Sequence, residues 1–435
     1  MQYKSPQGVT DILPSDQSYF SFIRKVVRHR FRQAGFQRIS VPAFEEAELF
    51  ENAMGLSTKI IRKELYTFTD KQDRELSLRP EITPGVVRAF IQGEMYNGAL
   101  PAELYYIDRV WRYQRMKRGN KREFWQFGGE ILGESDPAID AQLIQLGHRI
   151  LTDLGIRDEV LLKVNTLGSY GDRQKYFEAL QNFYEGKERS LTPHSVEMLK
   201  QGRFLQLLTP QSEDEEILVQ MAPKMIDFLS DESREFYERM IGYLDMFHIE
   251  YEVDPTLVRP TEYYTHTVFE FRQKTTRNKI MVGGRYDGLI TSLGGPDLGG
   301  AGVQCGMERA IDLMKQQDIT VPYKEYLQIF VAATGVEAKK AALPILVDLR
   351  EHGFHAVGAL GGTSMIDQLS RAQKFKVPYA ILLGDLELKE NSVLVRDIKK
   401  GKSEMVLIKD LVKYMEKLLV PDRPLDTTLE FLGHK

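Results

Sequence analysis

Two long β-rich runs separated by a short basic stretch constrain this chain more than any other feature. The first is Leu104-Tyr105-Tyr106-Ile107-Asp108-Arg109-Val110-Trp111-Arg112-Tyr113 and the second runs from Phe124 to Leu132. Between them lies Arg115-Met116-Lys117-Arg118-Gly119-Asn120-Lys121-Arg122. Aromatic and β-branched residues favour extended backbone, and a connection this short can join only antiparallel neighbours. The expectation is a long antiparallel hairpin with a cationic loop, and hence a sheet that is antiparallel around it. Strand parity places Gln126, Gly128 and Glu130 on one face. A bare glycine between two polar side chains leaves room there for a ligand.

The rest of the chain supplies helices for that sheet. At 435 residues and 50.0 kDa it is too long for one core, so two or three domains are expected. Gln17 to Ala34 carries Phe20, Ile23, Val26, Val27 and Phe31 at helical spacing, and Gly35 stops it. Phe36 to Val41 reads as a strand ending at Pro42, Glu45 to Met54 and Thr83 to Gln92 as helices. Pro137 to Asp153 reads as a helix and Glu159 to Asn165 as a strand. From about Gly171 to His248 the chain is mostly helical, polar and charged, the pattern of an inserted module. β-rich runs return at 251–272, 279–282 and 299–306, followed by a helix over Glu308–Lys315 and a linker near 316–323.

From Leu327 strands and helices alternate, which predicts a separate α/β domain over 327–420, its helix 338–351 kinked at Pro344. That segment holds 14 Lys+Arg against 11 Asp+Glu, a net of +3, leaving −7 of the total −4 for the remainder.

Several function classes drop out. No apolar run approaches the roughly 18 residues of a membrane span, so no membrane association is expected. The opening MQYKSPQGVTDILP has no apolar signal core, and a lone Cys305 forms no disulfide framework. Both set the expectation of a cytoplasmic protein. Eight scattered histidines without a His-x3-His pair predict no resident metal site. The net charge argues against a globally basic nucleic-acid coat but leaves a local basic face open.

Four clusters invite chemistry. Six cations fall between Arg112 and Arg122, either a solvated hairpin tip or a polyphosphate grip, because guanidinium forks match phosphate oxygens. Arg112 lies within the predicted strand, where its charge needs a partner, and that favours an anionic ligand. Gly283-Gly284-Arg285-Tyr286-Asp287-Gly288 reads most simply as a tight turn. Leu257-Val258-Arg259-Pro260-Thr261-Glu262-Tyr263-Tyr264-Thr265-His266-Thr267 reads most simply as a core tyrosine pair beside a surface arginine. The glycines from Gly294 to Gly306 lack the βαβ context of a dinucleotide fold, and His266 and Cys305 are expected to be structural.

Taken together, these segments resemble the histidyl-tRNA synthetases, a family of class II aminoacyl-tRNA synthetases, over essentially the whole chain. Arg38–Gly55 with Pro42 is similar to the first class II motif, Trp111 to Glu130 to the second, and Gly302-Val303-Gln304-Cys305-Gly306-Met307-Glu308-Arg309 to the third. LVRPTEYYTHTVFE and GGRYDGL resemble the two segments peculiar to histidine recognition. Residues 327–420, with Ser364–Lys374 and LVRD at 394–397, resemble the anticodon-binding domain.

The resemblance implies an α+β fold: a class II antiparallel sheet with helices and a helical insertion, followed by a C-terminal α/β anticodon-binding domain. The implied organisation is catalytic core over 1–171 and 249–320, insertion over 172–248, and anticodon-binding domain over 327–420. The implied activity is ATP-dependent activation of histidine to histidyl-adenylate and its transfer to the 3′ end of tRNA(His), by a homodimer using Mg2+. Arg112 and Arg259 would flank the α-phosphate as catalytic residues. Arg112, Gln114, Arg115, Arg122 and Arg309 would bind ATP. Histidine would lie among Glu81, Thr83, Gln126, Glu130, Arg259, Tyr263, Tyr264 and Tyr286, with Glu130 accepting from one ring nitrogen and Tyr264 bonding the other. Arg371, Lys374, Lys399, Lys400 and Lys402 would meet tRNA phosphates.

The sequence departs from the family pattern at Pro260-Thr261-Glu262, where glycine usually follows the arginine, and at Gln114, Asn120 and Trp125. Two rival functions remain at this point. One is a catalytically silent paralogue acting as a histidine-sensing regulatory subunit. The other is an adenylating, synthetase-like enzyme aimed at a non-tRNA acceptor or at another amino acid.

Overall fold

The computed structural model describes residues 3–54, 63–114, 116, 120–259, 261, 263–276, 278–321, 327–358, 361 and 364–420. Arg115, Lys117 and Arg118 of the basic loop, and Pro260 and Glu262, lie outside the described residues. The chain divides into two compact units, Met1–Pro322 and Tyr323–Lys435.

Among the described residues the first unit carries eleven strands: β1 Gln37–Arg38, β2 Phe44–Glu46, β3 Tyr66–Thr69, β4 Glu75–Leu78, β5 Ala102–Trp111, β6 Glu123–Leu132, β7 Val160–Thr166, β8 Tyr251–Val253, β9 Thr265–Gln273, β10 Lys279–Arg285 and β11 Gly300–Gly306. Eight form one sheet in the order β1-β5-β6-β11-β10-β9-β7-β8. Its inner pairs are antiparallel and only the outermost pair at each edge is parallel. The predicted hairpin is β5–β6, in unbroken register from Ala102↔Leu132 to Trp111↔Glu123.

The amphipathic pattern near the N-terminus becomes the helix Pro14–Gln33, which buries Phe20, Ile23, Val26, Val27 and Phe31, the same five side chains its spacing predicts. Full burial of each contributes about 1.5–3 kcal/mol. They join Ile107, Phe127, Phe269 and Phe271 of the sheet, together with residues of the helix Pro137–Asp153, in one core. That second helix starts sharply because Asp136 accepts from the Ala138 N–H at 2.8 Å, with Pro137 at its first position.

Three local expectations give way. The strand over Phe36–Val41 shortens to β1, because the Val41 and Pro42 carbonyls accept from the buried Arg79 side chain instead of a neighbouring strand. The helix at Glu45 begins at Ala47, since 44–46 pair with β4. The small antiparallel sheet β2-β4-β3 had no counterpart in the sequence reading. Its β3–β4 turn is set by Asp70, which accepts from the Gln72 and Arg74 N–H groups.

The helical segment has a core of its own, including Tyr176, Leu180, Tyr184, Met198 and Phe204. Its first helix, Tyr170–Tyr184, opens on a capping box between Ser169 and Asp172. Its last, Asp231–Met246, sends Tyr237, Met240 and Leu244 into the core beneath the main sheet.

In the second unit β12 Ile329–Ala333, β13 Ala356–Gly358, β14 Tyr379–Leu383, β15 Ser392–Asp397 and β16 Ser403–Leu407 form a mixed sheet in the order β13-β12-β14-β15-β16. Pro344 lies inside the helix Val336–Glu351, and a short helix at Asp385–Lys389 that the pattern did not suggest precedes β15. No helix among the described residues is long and apolar enough to cross a membrane.

Candidate active site

The centre of the large sheet buries a carboxylate. Glu130, on β6, is 1% exposed. It accepts from Thr83 Oγ1 at 2.6 Å and Tyr106 Oη at 3.1 Å through one oxygen, and from the Tyr286 hydroxyl through the other. These donors come from the first residue of the helix Thr83–Gln92, from β5 and from the turn after β10. Burial pushes the Glu130 carboxyl up to about 7, against the opposing pull of the three hydroxyls. It can therefore accept from a ligand N–H or, once protonated, donate to a ring nitrogen.

Gly128 serves this nest differently from expectation. A side chain there would collide with the Tyr106 hydroxyl and the Val303 carbonyl, so the bare position admits the tyrosine that reaches Glu130 and not a ligand. Gly302, opposite Glu130 in register, leaves room for the carboxylate itself.

Around the nest, Tyr263 Oη donates to Glu81 Oε1 at 3.1 Å, both side chains being buried. Burial raises the Glu81 carboxyl above its ordinary value, with Arg112 and Tyr263 opposing. The rings of Tyr263 and Tyr264 lie 4.5 Å apart, and Tyr286 lies 5.8 Å and 6.4 Å from them. The tyrosine pair is thus core as its spacing suggests, but Arg259 is not on the surface: its side chain is 9% exposed and its guanidinium sits 5.3 Å from the Tyr264 ring. Gly283 and Gly284 belong to β10 and not to a turn; a side chain on Gly284 would strike the Tyr264 ring and the Thr267 carbonyl. Arg285 is fully buried, bonding Asp140, Asp287 and the carbonyls of Glu134 and Asp136; it anchors the segment.

Beside the nest opens a basic cavity of about 270 Å³, bordered by the cations Arg112, Lys121, Arg259, Lys279 and Arg309 and by Gln114, Gln126 and Gln304. Arg112 lies one residue beyond the end of β5, where its Nε donates to the Pro80 carbonyl at 2.7 Å. Arg309, two residues into the helix Met307–Gln316, donates to the Lys279 carbonyl at 2.9 Å. Burial first, and the charge of Arg112 second, pull the Arg309 pKa below its ordinary value. Neither Arg112 nor Arg309 pairs with a carboxylate among the described residues, so a polyanion would relieve their mutual repulsion. Glu308 and Asp312 also border the cavity, and Glu308 accepts from the Trp125 N–H, tying helix to hairpin.

Most of the expected residues converge on these two adjoining spaces. Glu81, Thr83, Glu130, Tyr263, Tyr264 and Tyr286 surround the nest; Arg112, Gln114 and Arg309 border the cavity; Gln126 and Arg259 join the two. Gln126 donates to Gln304, and its own amide oxygen is buried without a partner among the described residues. Arg122 is not among the cavity residues: its Nε donates to the Gln114 carbonyl at 3.3 Å and its guanidinium lies 4.0 Å from the Tyr113 ring. Arg115 lies outside the described residues. Trp125, out of phase with Gln126, is turned to the other face, between the guanidiniums of Arg24 and Arg109. His266 stacks on Phe236 at 4.6 Å, and Cys305 is buried.

Sequence reading missed Tyr106, Lys279, Gln304 and Glu308. Cross-strand register would have found two of them, since Gly128 faces Tyr106 on one side and Gln304 on the other.

The family profile described as histidyl-tRNA synthetase matches residues 8–309, and that described as anticodon binding domain matches residues 328–418. The histidine–tRNA ligase of Halothermothrix orenii is 35% identical over 421 residues, covering 96% of this chain and 100% of the relative. That of Acaryochloris marina is 36% identical over 409 residues, covering 93% and 94%. The crystal structure of apo S. aureus histidyl-tRNA synthetase superposes with a TM-score of 0.78 at 30% identity, covering 95% of this chain and 99% of that one.

Proposed function

The chain belongs to the histidyl-tRNA synthetase family, and from that footing we propose that the nest around Glu130 holds the histidine side chain while the basic cavity holds ATP. The activity is that of an aminoacyl-tRNA synthetase of class II: activation of histidine with ATP and its transfer to tRNA. One observation carries the assignment of the site. Arg259 borders the cavity and lies against Tyr264, whose ring approaches Tyr286, whose hydroxyl bonds Glu130. A ligand imidazole at Glu130 and a phosphate at Arg259 are therefore neighbours.

The chemistry follows from what this arrangement offers. A histidine carboxylate oxygen attacks the α-phosphorus, the bond to the bridging oxygen breaks, and pyrophosphate leaves with that electron pair. Arg112 and Arg259 stabilise the charge that develops on the α-phosphate oxygens. The substrate brings its own nucleophile, so positioning replaces a protein base. A hydroxyl of the terminal adenosine of tRNA(His) then attacks the carbonyl of the adenylate and AMP departs. An amino acid that leaves Glu130 and the tyrosine hydroxyls unpaired is rejected without editing.

Arg309 suits the outer phosphates and the adenine, and Gln114 the base; Arg115 and Arg122 are further cations proposed for ATP binding. Among the described residues no group of three His, Cys, Asp or Glu side chains is placed to hold a metal. Glu308 and Asp312 at the cavity suit Mg2+ carried in on ATP and otherwise hydrated. Residues 1–171 and 249–320 form the catalytic core in this reading, 172–248 the insertion and 327–420 the anticodon-binding domain. There the exposed Arg371, Lys374, Lys399, Lys400 and Lys402 meet tRNA phosphates. A cytoplasmic homodimer built on 38–55 completes it. No observation favours a silent regulatory subunit, and the paired cavity argues for catalysis.

ATP–pyrophosphate exchange with each amino acid in turn tests the proposal. Exchange with histidine alone is expected, and binding of histidine without exchange would overturn it.

A further inference from the structure

Behind the phosphate cavity lies a second buried carboxylate that the reaction does not touch. Glu270, in β9, is 0% exposed. Arg259 Nη1 at 3.0 Å and Lys279 Nζ at 2.7 Å share its Oε1, and Arg272 Nε donates to its Oε2 at 2.7 Å. Arg272 also approaches Asp254, at 3.8 Å. Arg259 and Lys279 both border the cavity. They reach it from different segments, one preceding β9 and the other opening β10. Burial pushes the Glu270 carboxyl up, but Lys279, Arg259 and Arg272 outweigh it and hold the group below its ordinary value. It is an anion at neutral pH.

Two cations on one carboxylate oxygen are fixed in place yet not neutralised. Lys279 has three N–H donors and spends one on Glu270, and the buried Arg259 Nε has no partner among the described residues. Long side chains held beforehand lose little freedom when an anion arrives, and that is how a preorganised site gains affinity and rate.

We infer that Glu270 is the positioning residue of the phosphate cavity, seating Arg259 and Lys279, and that Lys279 is a further contact for the triphosphate of ATP. The inference rests on the reading in which ATP occupies that cavity.

The test uses the full chain with E270Q, E270D, K279M and the double variant E270Q/K279M, by equilibrium titration with Mg·ATP and by pyrophosphate exchange. E270Q and K279M are each expected to weaken ATP binding by about tenfold, with the histidine KM moved by less than about twofold. The double variant should bind ATP little worse than either single one, because both remove the same arrangement. E270D, which keeps the charge but shortens the reach, should retain part of the affinity. Should E270Q fail to fold, E270D and K279M carry the comparison. If the Glu270 variants lose only melting temperature while folded protein binds ATP normally, or if K279M binds ATP normally, the inference is overturned. A wild-type protein that binds no ATP would instead overturn the reading beneath it.

Discussion

Gly302 on β11 faces Glu130 on β6 in the register of the central sheet, and the space a side chain would take at Gly302 is filled by the Glu130 carboxylate. The smallest side chain would force the carboxylate off its hydroxyl donors. Gly302→Ala is expected to raise the histidine KM by more than about tenfold and to cost about 1–3 kcal/mol of stability. Pyrophosphate exchange with varied histidine, beside a urea melt, checks both halves; an alanine variant with normal histidine KM would show that the nest is not the amino-acid site.

Glu130 also links stability to pH. Its pKa in the folded chain is raised from 4.5 to about 7, so between these values the folded state binds more protons than the unfolded one. Stability without ligand should fall as pH rises through that window, by about 3 kcal/mol, and stay level above it. In Glu130→Gln this component is absent, so the variant should gain on the wild type between pH 5 and pH 8. Denaturant melts at the two pH values decide the sign.

Arg285 and Asp140 are 0% and 1% exposed and 2.7 Å apart. Removing the arginine strands a buried carboxylate together with the carbonyls of Glu134 and Asp136. Arg285→Ala should cost about 3–5 kcal/mol, read as a shift in the denaturant midpoint. The fraction that remains folded should keep its histidine KM, since the guanidinium points away from the nest.

Every described residue assigned to the nest and the cavity belongs to the first compact unit. A chain cut after Pro322 should therefore still exchange pyrophosphate in the presence of histidine, whereas charging of tRNA(His) should fall by more than about a hundredfold as the basic second unit is lost. Loss of exchange on truncation would mean that the second unit is needed to complete the site.

Where one periodic signal dominated, sequence and structure agree. The helix Pro14–Gln33 buries the five residues its spacing selects, and the β5–β6 hairpin follows from two β-rich runs with a short loop. The small sheet β2-β4-β3 was not legible, because strands of three or four residues with exposed side chains carry no alternation strong enough to read. The site divides the same way. Glu130, Arg259 and Arg309 stand in motifs, but Lys279 and Glu270 meet only through pairing of β9 with β10. Gly128 and Gly284 were misread for one shared reason: a glycine announces that something comes close, and only the fold says what. Here it is a tyrosine in each case.

The three hydroxyls on Glu130 come from three separate stretches of chain, and this bears on how such a protein can change over generations. A lineage drifting toward a different amino acid would have to alter Glu130, refit Thr83, Tyr106 and Tyr286, and refill the space at Gly302. Each step taken alone strands a polar group in the interior. Intermediates along that path are poorer at the old substrate before they are better at any new one, so the choice of histidine is guarded by the absence of a gradual route away from it.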